Sequence, residues 1–235
     1  MPIYPAARLA ASPRDANPVS MPRSDTKTRI LSTALDLFNL EGEGEVSAVD
    51  IAAVLGMSPG NLYYHYRGKE PMIAELFADF EVELRQVLSA PIARPLAIDD
   101  NWVFLFIVFE EIWDFRFFYR DPQGLIARVP ELAAKFSRLL ALKEATAEAV
   151  LAQLETLGAV GFREGERAAL SRRLAQHMTV WLNYRTLRAG TREIPKREAI
   201  NEGVHQAILM IAPYVAGERD VFAEGLAAAR EGAPG

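Results

Sequence analysis

The sequence contains no cysteine and only three histidines, His65, His177 and His205. Without thiols there is no disulfide, no cysteine nucleophile, no iron–sulfur cluster and no thiolate zinc site. That usage fits a reducing, cytoplasmic setting. The histidines are far apart and none stands in a ligand-spaced pattern such as HExxH, so neither a metal nor another cofactor is expected. No apolar run approaches the ~20 residues that span a bilayer. The opening MPIYPAARLAASPRDANPVS also lacks the continuous apolar segment of a secretion signal. Positive charge is in deficit: 26 Lys and Arg against 31 Asp and Glu give a net charge of −5. A polycation that coats nucleic acid is excluded, and any DNA binding has to come from a local patch. GxSxG, P-loop and GxGxxG patterns are missing as well. The adjacent Glu110 and Glu111 would diverge by about 100° on a helix, a poor geometry for shared acid–base work. An enzyme is therefore not expected.

What remains is ordinary globular composition, with 50% apolar and 24% charged residues in a chain of 235. That length suits one large domain, or a domain with a small module. Residues 1–24 carry Pro2, Pro5, Pro13, Pro18 and Pro22, a density that blocks helix and sheet and predicts a disordered arm. Met21 offers a second candidate start. From Asp25 onward, apolar residues recur at helical spacing and no segment alternates with period two for long, so an all-α fold of about nine helices is expected. Ile30, Ala34, Leu37 and Phe38 define the first helix, which stops at Gly42–Gly44. Ser47 is placed to cap a short helix with Ile51, Ala52 and Leu55. Ser58 and Pro59 open a third with Leu62 and Tyr66 turned inward. A long fourth helix runs from Lys69 to about Ala90, before Pro91. Further helices follow from Asn101 to about Arg116, after Pro122, after Pro130, from about Glu164 to Arg188, and from Pro195. The last of these has an apolar stripe of Ile200, Val204, Ile208, Ile211 and Val215. The expected organisation is a head over 25–70, a helical body over 71–217 and a flexible tail over 218–235.

The informative stretch is VSAVDIAAVLGMSPGNLYYHYRGKEPM, residues 46–72. Two short helices joined by the tight turn Leu55-Gly56-Met57-Ser58 have the geometry that seats a second helix in a DNA major groove. That second helix opens with Ser58, Pro59 and Gly60, small enough for close approach to base edges. Asn61, Tyr63, Tyr64 and His65 follow with polar tips and flat faces. From Ser58 to Lys69 there are two cations, Arg67 and Lys69, and no acid, which is the local patch that the net charge requires.

These residues resemble the DNA-binding domain of the TetR family of bacterial transcriptional regulators. The resemblance covers about residues 25–75. It is carried by Ile51-Ala52, Leu55-Gly56-Met57-Ser58, Gly60 to Tyr66 and Gly68-Lys69-Glu70. Position by position, it implies that Ser47 and Tyr64 hydrogen-bond phosphates and that Lys69 meets a phosphate at the start of the fourth helix. It also implies that Pro59, Gly60, Asn61, Tyr63 and His65 touch bases or the adjacent backbone. Where many members carry Arg or Lys after the cap, this chain has Ala48 and Val49. The family architecture further implies a ligand-holding bundle, a homodimer through the last two long helices and a double-stranded DNA operator. Its commonest behaviour is repression relieved by a small molecule, with the fourth helix as lever.

A second unusual stretch, WVFLFIVFEEIWDFRFFY, spans residues 102–119 and holds nine aromatics in a chain that is 9% aromatic. Two readings stand: a central core helix, or the wall of a cavity for a hydrophobic effector. Under the second, Trp102, Phe106, Phe109, Trp113 and Phe117 would line the cavity, and Arg116 and Arg120 would meet an acidic group of the ligand. His177, Trp181 and Tyr184 would add polar tips. Two rival functions remain open at this stage. One is a ligand-binding or interaction module whose helix-turn-helix does not engage DNA, and the other is a helical enzyme without familiar motifs.

Overall fold

The computed structural model describes residues 23–93, 96, 100–191 and 193–215. Most of the expected arm, the alternative start at Met21 and the C-terminal tail lie outside the described residues. Arg23 and Ser24, assigned to the arm, are the first residues of α1. The described residues form ten α-helices and one short 3₁₀ turn, and the only extended pairing among them is an isolated bridge between Val160 and Val215.

The first three helices make the head. In α1 (Arg23–Glu41), Ile30, Ala34 and Phe38 face inward and are fully buried. The helix ends at Gly42, whose φ of 95° lies in the region that favours glycine. Ser47 caps α2 (Ala48–Val54) in a reciprocal capping box with Asp50. At the end of α2 the Gly56 amide bonds Ala53 O and the Met57 amide bonds Ala52 O, a Schellman closure that Gly56 permits at φ 65°. The chain is thereby reversed into α3 (Pro59–His65), where Ser58 Oγ accepts from the Asn61 amide and Pro59 takes the first helical position. Leu62 and Tyr66 close the head core.

The long α4 (Glu70–Ala93) leaves the head and enters the body, burying Met72, Ile73, Leu76, Phe77, Phe80, Leu84 and Leu88 along one side. It continues three residues beyond the expected stop. Pro91 is accommodated in the last turn, and its carbonyl is satisfied by Gln153 Nε2 at 2.8 Å. The body continues with α5 (Asp100–Asp114), α6 (Phe117–Arg120), α7 (Pro122–Arg128), α8 (Leu132–Thr156), α9 (Glu166–Ala189) and α10 (Lys196–Ile211). The one-turn α6 was not expected. Pro130 precedes α8 rather than opening it, and Val215 lies past the end of α10, in the bridge to Val160.

In the body, α8 packs between α4 and α9, and α10 packs on α5 and α9. The aromatic segment serves this packing in two pieces. Phe109 on α5 meets His177 and Trp181 of α9 at ring distances of 5.6 and 5.2 Å. Phe115, Phe118 and Tyr119 plug the bundle against Phe80 of α4, while Phe118 also meets Phe77. At the α5–α10 crossing, a Cβ on Gly203 would stand 2.6 Å from Phe109 Cε1. Gly203→Ala is expected to lower unfolding stability by about 1–3 kcal/mol through overpacking, measured as the urea midpoint.

Candidate nucleic-acid interface and head–body groove

α3 presents its outer face to solvent. Pro59, Gly60, Asn61, Tyr63 and Tyr64 are exposed, with the two tyrosines 58% and 70% accessible. His65 is half-buried, its ring edge-on to Tyr64 at 5.4 Å. Leu62 and Tyr66 alternate with these residues toward the interior. The hydroxyl of Tyr66 reaches Glu75 on α4 at 2.9 Å. One short helix is therefore anchored from below, and its exposed face brings the candidate base-contacting residues together.

Two of the expected phosphate contacts have other partners. Ser47 Oγ accepts from the Asp50 amide at 3.2 Å and donates to Asp50 Oδ2 at 2.6 Å, so its one proton is engaged in the cap. The Ser47 hydroxyl and the Ser47 amide, both donating to Asp50 Oδ2, hold that carboxyl below its ordinary range. Lys69 points back under the head. Its ammonium bonds Glu43 O at 2.6 Å and Val46 O at 3.0 Å, and lies 3.0 Å from Glu43 Oε1. Two of the three ammonium donors are thereby spent on carbonyls, and the third side of the group faces the Glu43 carboxylate as an ion pair. Lys69 thus fixes the α1–α2 turn to the start of α4. On α2, the outward positions Val49 and Val54 are apolar and exposed.

The head is joined to the body through a second route besides α4. Asn39, at the end of α1 and buried, donates from Nδ2 to Asp114 O at 2.7 Å and accepts on Oδ1 from the Phe117 amide at 3.1 Å. Arg120 of α6 donates to Asn39 O. Glu43, 3% exposed, is gripped from the other side by Arg128 of α7. The Phe38 and Phe117 rings meet at 5.3 Å.

Beside this joint lies a groove of about 570 Å³. Its walls come from the head turn at Gly42–Glu45, from Phe117, Arg120, Leu125 and Arg128, and from Asn183, Thr186 and Gly190 near the end of α9. Of the residues expected to line an effector cavity, it brings together only Phe117 and Arg120. Phe109, Trp113 and Trp181 are buried in helix packing, and Trp102 and Phe106 are half-buried on α5. Arg116 lies over the Trp113 ring at 4.9 Å and donates to Trp113 O. His177 donates Nε2–H to Gly203 O at 2.9 Å, and burial holds its pKa below the usual histidine value. Tyr184, one turn beyond the buried Trp181 on α9, is 62% exposed. Sequence reasoning missed Asn39, Glu43, Arg128 and Asn183. Their hydrogen-bond partners across the joint are 63 to 85 residues distant, and only the Glu43–Lys69 tie and the 4.0 Å Arg128–Asp121 ion pair are nearer in sequence.

Two family models cover nearly all of the described chain. Residues 30–76 match the model described as bacterial regulatory proteins, tetR family, and residues 79–221 match that described as TetR, bacterial transcriptional repressor. Among solved structures, a TetR-family transcriptional regulator from Marinobacter aquaeolei VT8 is 29% identical, with a TM-score of 0.77 over 86% of this chain and 97% of that one. A transcriptional regulator from Saccharomonospora viridis in complex with choline is 18% identical, with a TM-score of 0.59 over 83% of this chain and 100% of that one. A gamma-butyrolactone receptor is 17% identical, with a TM-score of 0.58 over 88% and 98%. The last two show likeness of fold alone. A search of curated proteins gives no match. With head and body each matched, and with the helix-turn-helix built as described, the chain belongs to the TetR family of bacterial transcriptional regulators.

Proposed function

We propose that the protein is a repressor that binds a palindromic operator as a homodimer and is released by a small, largely hydrophobic molecule. In this reading residues 25–70 read DNA and residues 71–217 bind the effector and the second subunit. The observation that carries it is the free face of α3. Ser58, Pro59, Gly60, Asn61, Tyr63, Tyr64 and His65 lie on or beside one exposed helix, and no acid intervenes between Ser58 and Lys69. In an operator complex the small residues admit close backbone approach, Tyr64 bonds a phosphate, and Asn61 reads a base edge. The test is a gel shift against the DNA upstream of the gene. Asn61→Ala should retain binding but lose discrimination at one position, by about 1–3 kcal/mol between matched and mismatched sites. The rival reading, an interaction module that does not engage DNA, draws on Val49 and Val54, apolar and exposed on α2. Failure of the parent protein to shift that DNA favours the rival.

The second subunit is assigned to the outer face of α9 and α10. Val180 and Tyr184 stand one turn apart on α9 and are exposed, as is Leu209 on α10, while the exposed Leu187 further along α9 also borders the groove. Such a stripe is unusual on a monomer and suits a two-fold partner that sets two reading heads about 34–36 Å apart. Charging it with Val180→Glu and Tyr184→Glu together should yield monomers at micromolar concentration in sedimentation and weaken operator binding. A variant that stays dimeric assigns the interface elsewhere. Effector binding then acts as a population shift, favouring a dimer whose heads are wrongly spaced. Both α4 and the Asn39–Glu43 joint transmit it in this reading.

A further inference from the structure

One buried cation serves none of the roles above. Lys143, on α8, is 1% exposed, and no carboxylate among the described residues stands within ion-pair distance of it. Its Nζ lies 3.0 Å from Tyr119 Oη on α6, 3.2 Å from Thr179 Oγ1 on α9, and 4.6 Å from the Tyr119 ring centre. Thr146, one turn further along α8, bonds Leu88 O of α4, so the amine sits where four helices meet. The groups that face it are neutral. Thr179 already donates to Ala175 O and offers Lys143 only an acceptor. On α8 itself Glu144 is exposed, and Glu148 is tied to Arg167 and Ser171. Burial pushes the amine down to about 7. A buried ammonium with no counter-charge is an unfavourable arrangement that an anion of the right shape would relieve.

The groove beside the head–body joint stops short of this amine, and Lys143, Tyr119 and Thr179 are not among its lining residues. Asn183 and Thr186 line it and stand one and two turns beyond Thr179 along α9. On α6, Phe117 and Arg120 line it on either side of Tyr119 in sequence. The nearest lining residue on α9, Asn183, therefore stands about one helical turn, ~5 Å along the axis, from Thr179. The step between them is closed by the Asn183 Nδ2 bond to Arg120 O at 2.7 Å.

We propose that the effector is an amphiphilic carboxylic acid whose carboxylate pairs with Lys143 while its hydrocarbon body lies along the Phe117–Leu125 side of the groove. The inference rests on the effector reading given above and names its chemical class. The acid enters past Asn183, and its body lies against the head turn at Gly42–Glu45, where occupancy bears directly on the joint between head and body. Arg116 and Arg120, the cations suggested by sequence, are engaged with Trp113 and Asn39.

The test is calorimetric titration of the full chain, without DNA, with octanoate and with octanol at about pH 8 in two buffers of different ionisation enthalpy. Octanoate is expected to bind at least about tenfold more tightly than octanol, with net proton uptake as Lys143 is recharged. Lys143→Met should abolish both the preference and the uptake while leaving octanol binding in place. Equal affinities, a preference that survives in Lys143→Met, or no octanoate binding up to about 1 mM would each overturn the proposal. The wild-type comparison and its proton uptake decide the matter even for a poorly folded variant. Because no DNA is present, failure here leaves the operator gel shift standing, and failure of the gel shift leaves this titration interpretable.

Discussion

Lys69→Ala should destabilise the protein before DNA is involved. Removing the ammonium leaves the Glu43 and Val46 carbonyls without their donor and leaves Glu43, 3% exposed, with Arg128 as its remaining cation. Breaking a buried ion pair from one side typically costs about 3–5 kcal/mol, and since Lys69 keeps some exposure about 2–4 kcal/mol is expected. Thermal unfolding without DNA measures it. The phosphate role implied by family resemblance makes the opposite forecast: unchanged stability, and a salt dependence of DNA binding reduced by one contact. An unchanged melting temperature would return Lys69 to the DNA face. A double-mutant cycle with Glu43→Gln sharpens the result, because two members of one network should give strongly non-additive losses.

The Lys69 case shows where sequence reading stops. The helices were legible because each pays for its burial locally: Ile30, Ala34 and Phe38, or Ile200, Val204 and Ile208, advertise a face through spacing alone. The turn between α2 and α3 was legible because Gly56, Ser58 and Pro59 each have one backbone use there. What an exposed-looking lysine touches is set by chain reversal, and Glu43 lies 26 residues before it. Ser47 was recognised as a cap, but its second role was assigned by resemblance, and Asp50 three residues on holds its proton. Pro91 was taken as a stop because its missing amide breaks helices in their interior. In the last turn of α4 the ring costs one helical bond, the one Val87 O would have accepted, and few residues remain to be disturbed beyond it. Gln153 satisfies the Pro91 carbonyl.

The aromatic stretch divides along the same line. Its composition announced burial on nearly every side. The structure buries Phe104, Phe109, Trp113, Phe115, Phe117, Phe118 and Tyr119 while leaving Trp102 and Phe106 half-buried and Val103 exposed. Composition does not say that the helix breaks after Asp114, so that α5 packs on α10 while Phe117, Phe118 and Tyr119 turn into the bundle and toward the head. Nor does it say where space is left. The groove forms where Gly42–Glu45, α6–α7 and the end of α9 approach without filling the corner, and those segments are up to about a hundred and fifty residues apart in sequence. Lys143 was invisible for the same reason. On α8 it occupies an inward position among Leu139, Thr146 and Ala147, and only the partner helices reveal that no acid faces it.

Lys143→Met should stabilise the protein, and the gain should depend on pH with a definite sign. The amine titrates at about 7 in the folded chain, against an ordinary value of 10.5, with desolvation as the cause. Between those values the unfolded chain holds a proton that the folded chain has released, so wild-type stability falls as pH drops from about 10.5 to about 7 and stays low below that. Methionine fills similar space without a charge, so the variant should be more stable by about 3–5 kcal/mol near pH 7 and by about 1 kcal/mol near pH 10. Taking wild type against variant at each pH by urea unfolding cancels every other titration. In the neutral form the network at Lys143 stays satisfied, with the Tyr119 hydroxyl donating to Nζ and Nζ donating to Thr179 Oγ1. Burial also pushes the Tyr119 hydroxyl above its ordinary range, which keeps that donor in place across the window. A difference that is flat from pH 7 to 10 would mean that water or an anion reaches the amine in the unliganded protein.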